Sequence, residues 1–295
     1  MRISPLLSIV TPTYNRGYLL SNCYDSLRNQ TDADFEWIIV DDGSTDDTGI
    51  IVSGFQSDLF PIRYFRKENG GKHTALNTAM DHLQGEFVLI LDSDDTLTPD
   101  AVATVRTYWT QYVSQPNIAM VTFLRGHTKS DPLCVGPITN QPVDILRYRR
   151  TIIHSSDCCE VIRSDIFRRF PFPTFDGERF LSECTLWNRV GLEYQCIYIN
   201  EVIYICEYLE GGLTKSGRGM RIRNPRGGML SSLLNMHPKN YLHLRIKNGL
   251  LFCAYGFFAG FSPKTILAEN EYKAITTLCM LPGWALYRFW GCKYL

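Results

Sequence analysis

Short apolar runs alternate with amphipathic stretches through the first 125 residues. Leu6 to Val10 has the continuous apolar character of a buried strand. Tyr18 to Arg28 reads as a helix, because Leu19, Leu20, Cys23, Tyr24 and Leu27 share one face at helical spacing. Phe35 to Val40 is a second strand, and the Gly43-Ser44-Thr45-Asp46-Asp47 that follows offers turn residues, a hydroxyl N-cap and first-turn acids for a helix. Ile62 to Phe65, a helix from Lys72 to Leu83, and a strand from Glu86 to Leu91 continue the series, and Thr98-Pro99-Asp100 opens the next helix. Strands that alternate with helices predict an α/β fold with a mostly parallel central sheet.

Beyond residue 125 the periodicity is broken by Pro132, Pro137, Pro142, Pro171 and Pro173, so loops, short strands and helices are expected to decorate the sheet. A helix is predicted from Leu181 to Val190, the basic Gly211 to Gly228 segment reads as mobile, and the rest reads as apolar and helical. Gly249 to Phe261 and Ala274 to Trp290 are each too short or too interrupted to span a bilayer, which needs ~20 apolar residues. Two readings stay open for them: helices packed within the protein or against another subunit, and interfacial membrane attachment through the Trp, Tyr and Arg residues of the tail.

Composition narrows the function. The 30 Lys and Arg balance 30 Asp and Glu, which leaves no global field for nucleic acid. Ten cysteines, with no CxxC pair, read as reduced core thiols, and an N-terminus without a signal-peptide pattern leads us to expect a cytoplasmic protein.

The chemistry-bearing residues fall at the carboxyl ends of the expected strands, where open α/β sheets bind ligands. Asp92-Ser93-Asp94-Asp95 presents three carboxylates that suit a hard divalent cation, Mn²⁺ or Mg²⁺, shared with phosphate oxygens. Asp41-Asp42-Gly43-Ser44 offers acceptors for a base imide or a ribose hydroxyl, and Thr11-Pro12-Thr13-Tyr14-Asn15 offers hydroxyls and an aromatic face. Asn69, Gly70, Gly71 and Lys72 precede a helix and form a candidate phosphate- or base-facing element, although the glycine spacing of a Walker A loop is absent. Taken singly, each segment is equally an ordinary turn or helix cap.

In combination, Ser8-Ile9-Val10-Thr11-Pro12-Thr13-Tyr14-Asn15, Ile39-Val40-Asp41-Asp42-Gly43-Ser44-Thr45-Asp46, Asn69-Gly70-Gly71 with Ala75 and Asn77, and Leu91-Asp92-Ser93-Asp94-Asp95 resemble the family 2 glycosyltransferases. The resemblance implies a GT-A fold, a nucleotide-sugar donor with UDP foremost, and inversion at the anomeric carbon. It divides the chain into a nucleotide-sugar-binding half at 1–125, an acceptor-binding half at 126–228 and a C-terminal helical extension at 229–295. It sets Thr11 and Tyr14 around the base with Pro12 beside them, Asp41 or Asp42 accepting from the base, Asp92 and Ser93 near the ribose, and Asp94 on the metal. Where the family carries a later Glu-Asp pair, this chain has Glu183-Cys184, which leaves Glu183 as the expected general base and Asp176 and Glu178 as rivals. Lys215, Arg218 and Arg221 form a candidate cationic flap for the diphosphate. Lacking the Gln-x-x-Arg-Trp element of processive synthases, the chain is expected to add one sugar per event. The acceptor is a hydroxyl, with a lipid-linked glycan and a peripheral place on the inner membrane face fitting an interfacial tail, and association with a further subunit is left open. A sugar-phosphate nucleotidyltransferase and a non-catalytic nucleotide- or carbohydrate-binding subunit are the alternatives.

Overall fold

The computed structural model describes residues 4–148, 157–206 and 213–294, with backbone alone for 213–216. The chain divides into two compact units, residues 1–171 with 190–207, and residues 172–189 with 208–295. The boundaries expected at 125 and 228 fall inside a strand, Ile118–Thr128, and a helix, Pro225–Asn235.

The first unit begins β1 (Leu7–Thr13), α1 (Gly17–Arg28), β2 (Phe35–Asp41), α2 (Thr48–Ser53), β3 (Ile62–Arg66), α3 (Lys72–Met80) and β4 (Phe87–Ile90). It continues with β5 (Thr96–Leu97), α4 (Ala101–Tyr112), β6 (Ile118–Thr128), β7 (Asp131–Pro132), β8 (Pro142–Asp144), α5 (Ile145–Tyr148), β9 (Cys158–Arg163) and α6 (Ser164–Arg169). After α7 (Cys184–Glu193), which crosses the boundary between the units, β10 (Gln195–Ile205) completes the sheet.

The strands lie in the order β3-β2-β1-β4-β9-β6-β10-β5, with β7 on β6 and β8 on β10. The four strands on the β3 side are parallel, as alternating strand and helix predict, and every antiparallel pair includes a strand that begins after residue 125. Every residue of β1 and β2 is buried, the pattern of strands covered on both faces by helices. Trp37, Phe35, Trp109 and Phe123 fill the core, and Phe87 stacks on Trp109. Glu36 on β2 is a charge sunk into this core. Glu36 accepts from the Ser8 hydroxyl and the Gln84 N–H and pairs with Arg63, so its carboxylate is satisfied where an unpaired one would be costly.

The second unit holds α8 (Leu213–Arg223), α9 (Pro225–Asn235), α10 (Leu242–Phe258), α11 (Pro263–Ala268) and α12 (Lys273–Tyr294). Its core gathers Ile222, Met229, Met236, Phe252, Tyr255, Ile266, Cys279 and Trp290. The expectation of a mobile segment from Gly211 to Gly228 is corrected from residue 213 onward, where the chain is helical with a break at Gly217. Arginine supports a helix, Pro225 sits in the first turn of α9, and the Glu178 carboxylate accepts from the Arg226 and Gly227 N–H groups at that helix start. Among the described residues no helix is long and apolar enough to cross a membrane. Eight of the ten cysteines are buried.

Candidate functional site

Parallel pairing sets the site. β1 lies between β2 and β4, with Thr13 opposite Asp41 and Val10 opposite Ile90, so three strand ends bring the Thr13 to Arg16 turn, Asp41-Asp42 and the acidic turn after β4 to one edge. The turn after β1 is pinned across this edge. Asn15 takes a left-handed backbone (φ 51°), donates its N–H to the Ser44 hydroxyl at 2.8 Å and accepts the Thr45 N–H on its side-chain oxygen at 2.7 Å. Holding a non-glycine residue there costs strain that the cross-loop bonds offset. Arg16 is thereby aimed at Asp94, which it meets at 2.7 Å.

Asp42 closes a second loop. Its carboxylate accepts the Gly70 N–H at 3.0 Å, the Gly71 N–H at 2.6 Å and the Lys67 ammonium at 2.6 Å, while Asn69 donates its side-chain amide to the Asp42 carbonyl at 2.9 Å. Gly43 (φ 84°) passes so close that a Cβ there would lie 2.8 Å from the Asn69 nitrogen, and Gly71 (φ 95°) turns the chain into α3. The expectation that the glycine amides of this element face a phosphate or base is corrected, since they serve an internal carboxylate, while Lys72 reaches the acidic turn instead. Asp41 is equally engaged, accepting the Ser44 N–H at 2.7 Å and the Tyr64 hydroxyl at 2.6 Å, with Arg66 at 3.9 Å.

The acidic turn is built around Tyr204. Its hydroxyl accepts the Asp92 N–H at 2.9 Å and donates to the Asp95 carboxylate at 2.7 Å, while Arg125 lies over its ring at 4.1 Å. Arg125 also stands 3.6 Å from Asp92 and 3.7 Å from Asp95, and Lys72 pairs with Asp92. Burial opposes the ionisation of Asp92, yet the charges of Lys72, Arg125 and Arg16 outweigh it and hold the carboxyl below its usual pKa. Burial and then the Asp92 charge push Asp95 up to about 7, against the pull of Tyr204 and Arg125. Three carboxylates therefore face three cations, Arg16, Lys72 and Arg125.

Among the described residues no three His, Cys, Asp or Glu side chains are grouped to hold a metal ion by themselves. The donor set still fits a hard cation. Asp94 is partly exposed, and Mg²⁺-type ions take one or two carboxylates and complete their shell with phosphate oxygens and water.

The other expected residues divide. Tyr14 is exposed at the same edge, whereas Pro12 and Ser93 are buried beneath it. Thr11 is corrected: it is fully buried and its hydroxyl accepts the Trp37 indole N–H at 2.9 Å, so its side chain does not face a base. Glu183 belongs to the second unit and immediately precedes α7, where its carbonyl accepts the Leu186 and Trp187 N–H groups. Glu178 is spent on α9. Arg218 lies over the Trp290 ring at 4.3 Å, Arg221 is exposed, and the side chain of Lys215 lies outside the described residues. Arg16, Lys67, Arg125 and Tyr204 were not singled out from the sequence. Arg16 stands next to a quoted motif, but Arg125 and Tyr204 sit on strands far along the chain and carry no local signal.

Residues 8–170 match the family model described as Glycosyl transferase family 2. A Streptococcus pneumoniae protein named glycosyltransferase GlyG is 26% identical over 72% of this chain and 74% of its own length. A Campylobacter jejuni protein named GalNAc(5)-diNAcBac-PP-undecaprenol beta-1,3-glucosyltransferase is 41% identical, over about a third of either chain (34% and 33%). The structure of S. aureus TarS 1-349 in complex with UDP-GlcNAc superposes with a TM-score of 0.65 at 18% identity, covering 94% of this chain and 79% of that one. The mannosyltransferase PcManGT from Pyrobaculum calidifontis, in complex with GDP-Man and Mn²⁺, gives a TM-score of 0.57 at 20% identity, covering 98% and 84%. The fold is GT-A.

Proposed function

Because the chain belongs to glycosyl transferase family 2, we propose that it moves one sugar from a UDP-sugar to a hydroxyl acceptor, with inversion at the anomeric carbon. The observation that carries this reading is the meeting of Arg16, Lys72, Asp92 and Asp94 at one sheet edge, beside the exposed ring of Tyr14. Carboxylates and cations interleaved in this way can accept a diphosphate by exchanging partners. Lys72 and Arg16 turn from carboxylate to phosphate oxygens, and Asp94 is released for a divalent ion, Mn²⁺ or Mg²⁺.

The roles follow from each group's chemistry. Tyr14 offers a stacking face for the base, Asp41 or Asp42 accepts from it, and Asp92 accepts from a ribose hydroxyl. A cation held by Asp94 would neutralise charge on the departing nucleoside diphosphate. Arg16 and Lys72, once turned to the phosphate oxygens, disperse the same charge, which reduces the need for the 215–221 segment as a flap. Glu183 takes the acceptor proton. Its rival Glu178 already accepts two backbone N–H groups at the start of α9, so its carboxylate is engaged in holding that helix. The name of the Campylobacter relative supports a lipid-linked acceptor in cell-surface glycan synthesis, and the reading therefore places the enzyme peripherally at the cytoplasmic membrane face.

The test is a panel of nucleotide sugars with and without Mn²⁺, read by thermal shift and by donor hydrolysis. A UDP-sugar that stabilises the protein only with metal, and an Asp94→Asn variant that folds but loses this stabilisation and transfer, are expected. Full metal-dependent activity in Asp94→Asn, or no nucleotide-diphosphate uptake by the wild type, overturns the reading.

A further inference from the structure

We infer that the outer face of α12 is a docking surface for an anionic lipid bilayer. The inner side of this helix is accounted for by Thr276, Cys279, Gly283 and Trp290, which are buried in the core of the second unit. The outer side is not. Ala274, Leu278, Leu281, Ala285, Phe289 and Cys292 are all exposed, and at helical spacing they fall within an arc of about 80° along the whole helix. Leu281 is 74% exposed, Leu278 66%, and Phe289 62%. A continuous apolar ridge of this kind marks an interaction site, and its helix cannot span a bilayer.

Charge selects the occupant. From Tyr272 to the last residue there is no acid, while Lys273, Arg288 and Lys293 lie on α12. Residues 213–295 carry twelve Lys and Arg against two Glu, a net +10 in a chain whose total is zero. The earlier 212 residues thus hold the compensating −10, and the segregation places nearly all the unbalanced positive charge on the segment that bears the ridge. A second copy meeting ridge to ridge would set the Lys273, Arg288 and Lys293 of one α12 against the same cations of the other. An anionic surface is favoured instead, and one that accepts a single ridge without a matching groove is a bilayer. The flanking residues agree. Trp284, 46% exposed, and Arg288, with its guanidinium 5.9 Å from that ring, border the ridge on one side, and Lys293 lies on the other, the arrangement of an aromatic and snorkelling cationic belt at a lipid headgroup layer. The surface deepens the reading of a lipid-linked acceptor, but its test requires no sugar transfer, so the two stand or fall separately.

The experiment uses the full chain and sedimentable vesicles of phosphatidylcholine, with or without roughly a third phosphatidylglycerol. The wild type is expected to sediment with the anionic vesicles about tenfold more than with neutral ones, and to be released by high salt. Leu281→Ser/Phe289→Ser, which removes apolar area without adding charge, is expected to lower partitioning about tenfold while transfer to a soluble acceptor and the melting temperature stay unchanged. Brominated lipid should quench part of the tryptophan fluorescence, and Trp284→Phe should abolish that part, a readout that serves even if the double variant folds poorly. Equal partitioning of wild type and variants, absence of quenching, or a wild-type dimer that the double variant converts to monomer would each overturn the proposal.

Discussion

Removing one hydroxyl tests how the acidic turn is held. In Tyr204→Phe the ring remains beneath Arg125, but the Asp92 N–H loses its acceptor and the Asp95 carboxylate loses its donor. A buried amide left without a partner costs about 1–3 kcal/mol, and a bond to a charged acceptor contributes about 1.5–3 kcal/mol. Both effects pass through a single atom and overlap, so a total of about 2–4 kcal/mol is expected. For a chain of this size that corresponds to a fall of about 5–10 °C in melting temperature, measurable by scanning calorimetry. The same variant should weaken UDP binding about tenfold in isothermal titration, because the Asp92 to Asp95 turn loses its fixed position. A melting temperature within about 2 °C of wild type, with UDP affinity unchanged, would refute the claim that Tyr204 holds the turn.

Other expectations follow from single contacts. Glu183→Gln should lower kcat by about a hundredfold or more with donor affinity retained, in steady-state kinetics and titration respectively; unchanged turnover removes Glu183 from the mechanism. Arg63→Met strands the buried Glu36 carboxylate and should cost about 3–5 kcal/mol in urea unfolding, whereas an effect below about 1 kcal/mol would mean that the ion pair is dispensable. Burial lowers the His73 pKa against the opposing charge of Asp42, so the unfolded chain takes up a proton that the folded chain resists. Stability from this group is full above the unfolded value near 6.5 and declines as pH falls below it, by at most about 1.4 kcal/mol per pH unit. The raised Asp95 has the opposite sign, losing stability as pH rises toward about 7. The His73 part is therefore read from the difference between wild type and His73→Gln urea midpoints at several pH values, and parallel curves would refute it.

What was legible in the sequence was whatever burial makes repetitive. β1, β2 and β4 are buried on both faces and mostly apolar, so their runs stand out and their ends locate Asp41, Asp42 and Asp92. Partnership was not legible. Gly70-Gly71-Lys72 has the composition of an anion-binding helix start, and only the folded chain reveals that Asp42 is already there. Thr11 resembles a site hydroxyl because it stands near a strand end, yet strand alternation turns it toward Trp37. The 43–47 segment carries capping residues, but Asn15 binds the Thr45 N–H and Arg66 donates to the Ser44 carbonyl, so the helix begins at Thr48 instead. The basic stretch after residue 212 read as mobile because glycines and charges dilute its periodicity. The start of α9 is secured by Glu178, and Asn224, between α8 and α9, donates to the Met220 carbonyl and accepts the N–H groups of Arg179 and Phe180 more than forty residues earlier.

The carboxylate of Asp42 is in effect a resident guest. Two peptide amides and an ammonium group converge on it as they would on a dissolved anion, so excising it by Asp42→Ala would leave a ready-made vacancy for a small carboxylate such as formate. Loop order lost in that variant should then return in proportion to added formate, and the enzyme would become one whose glycine loop is set from outside by a simple salt.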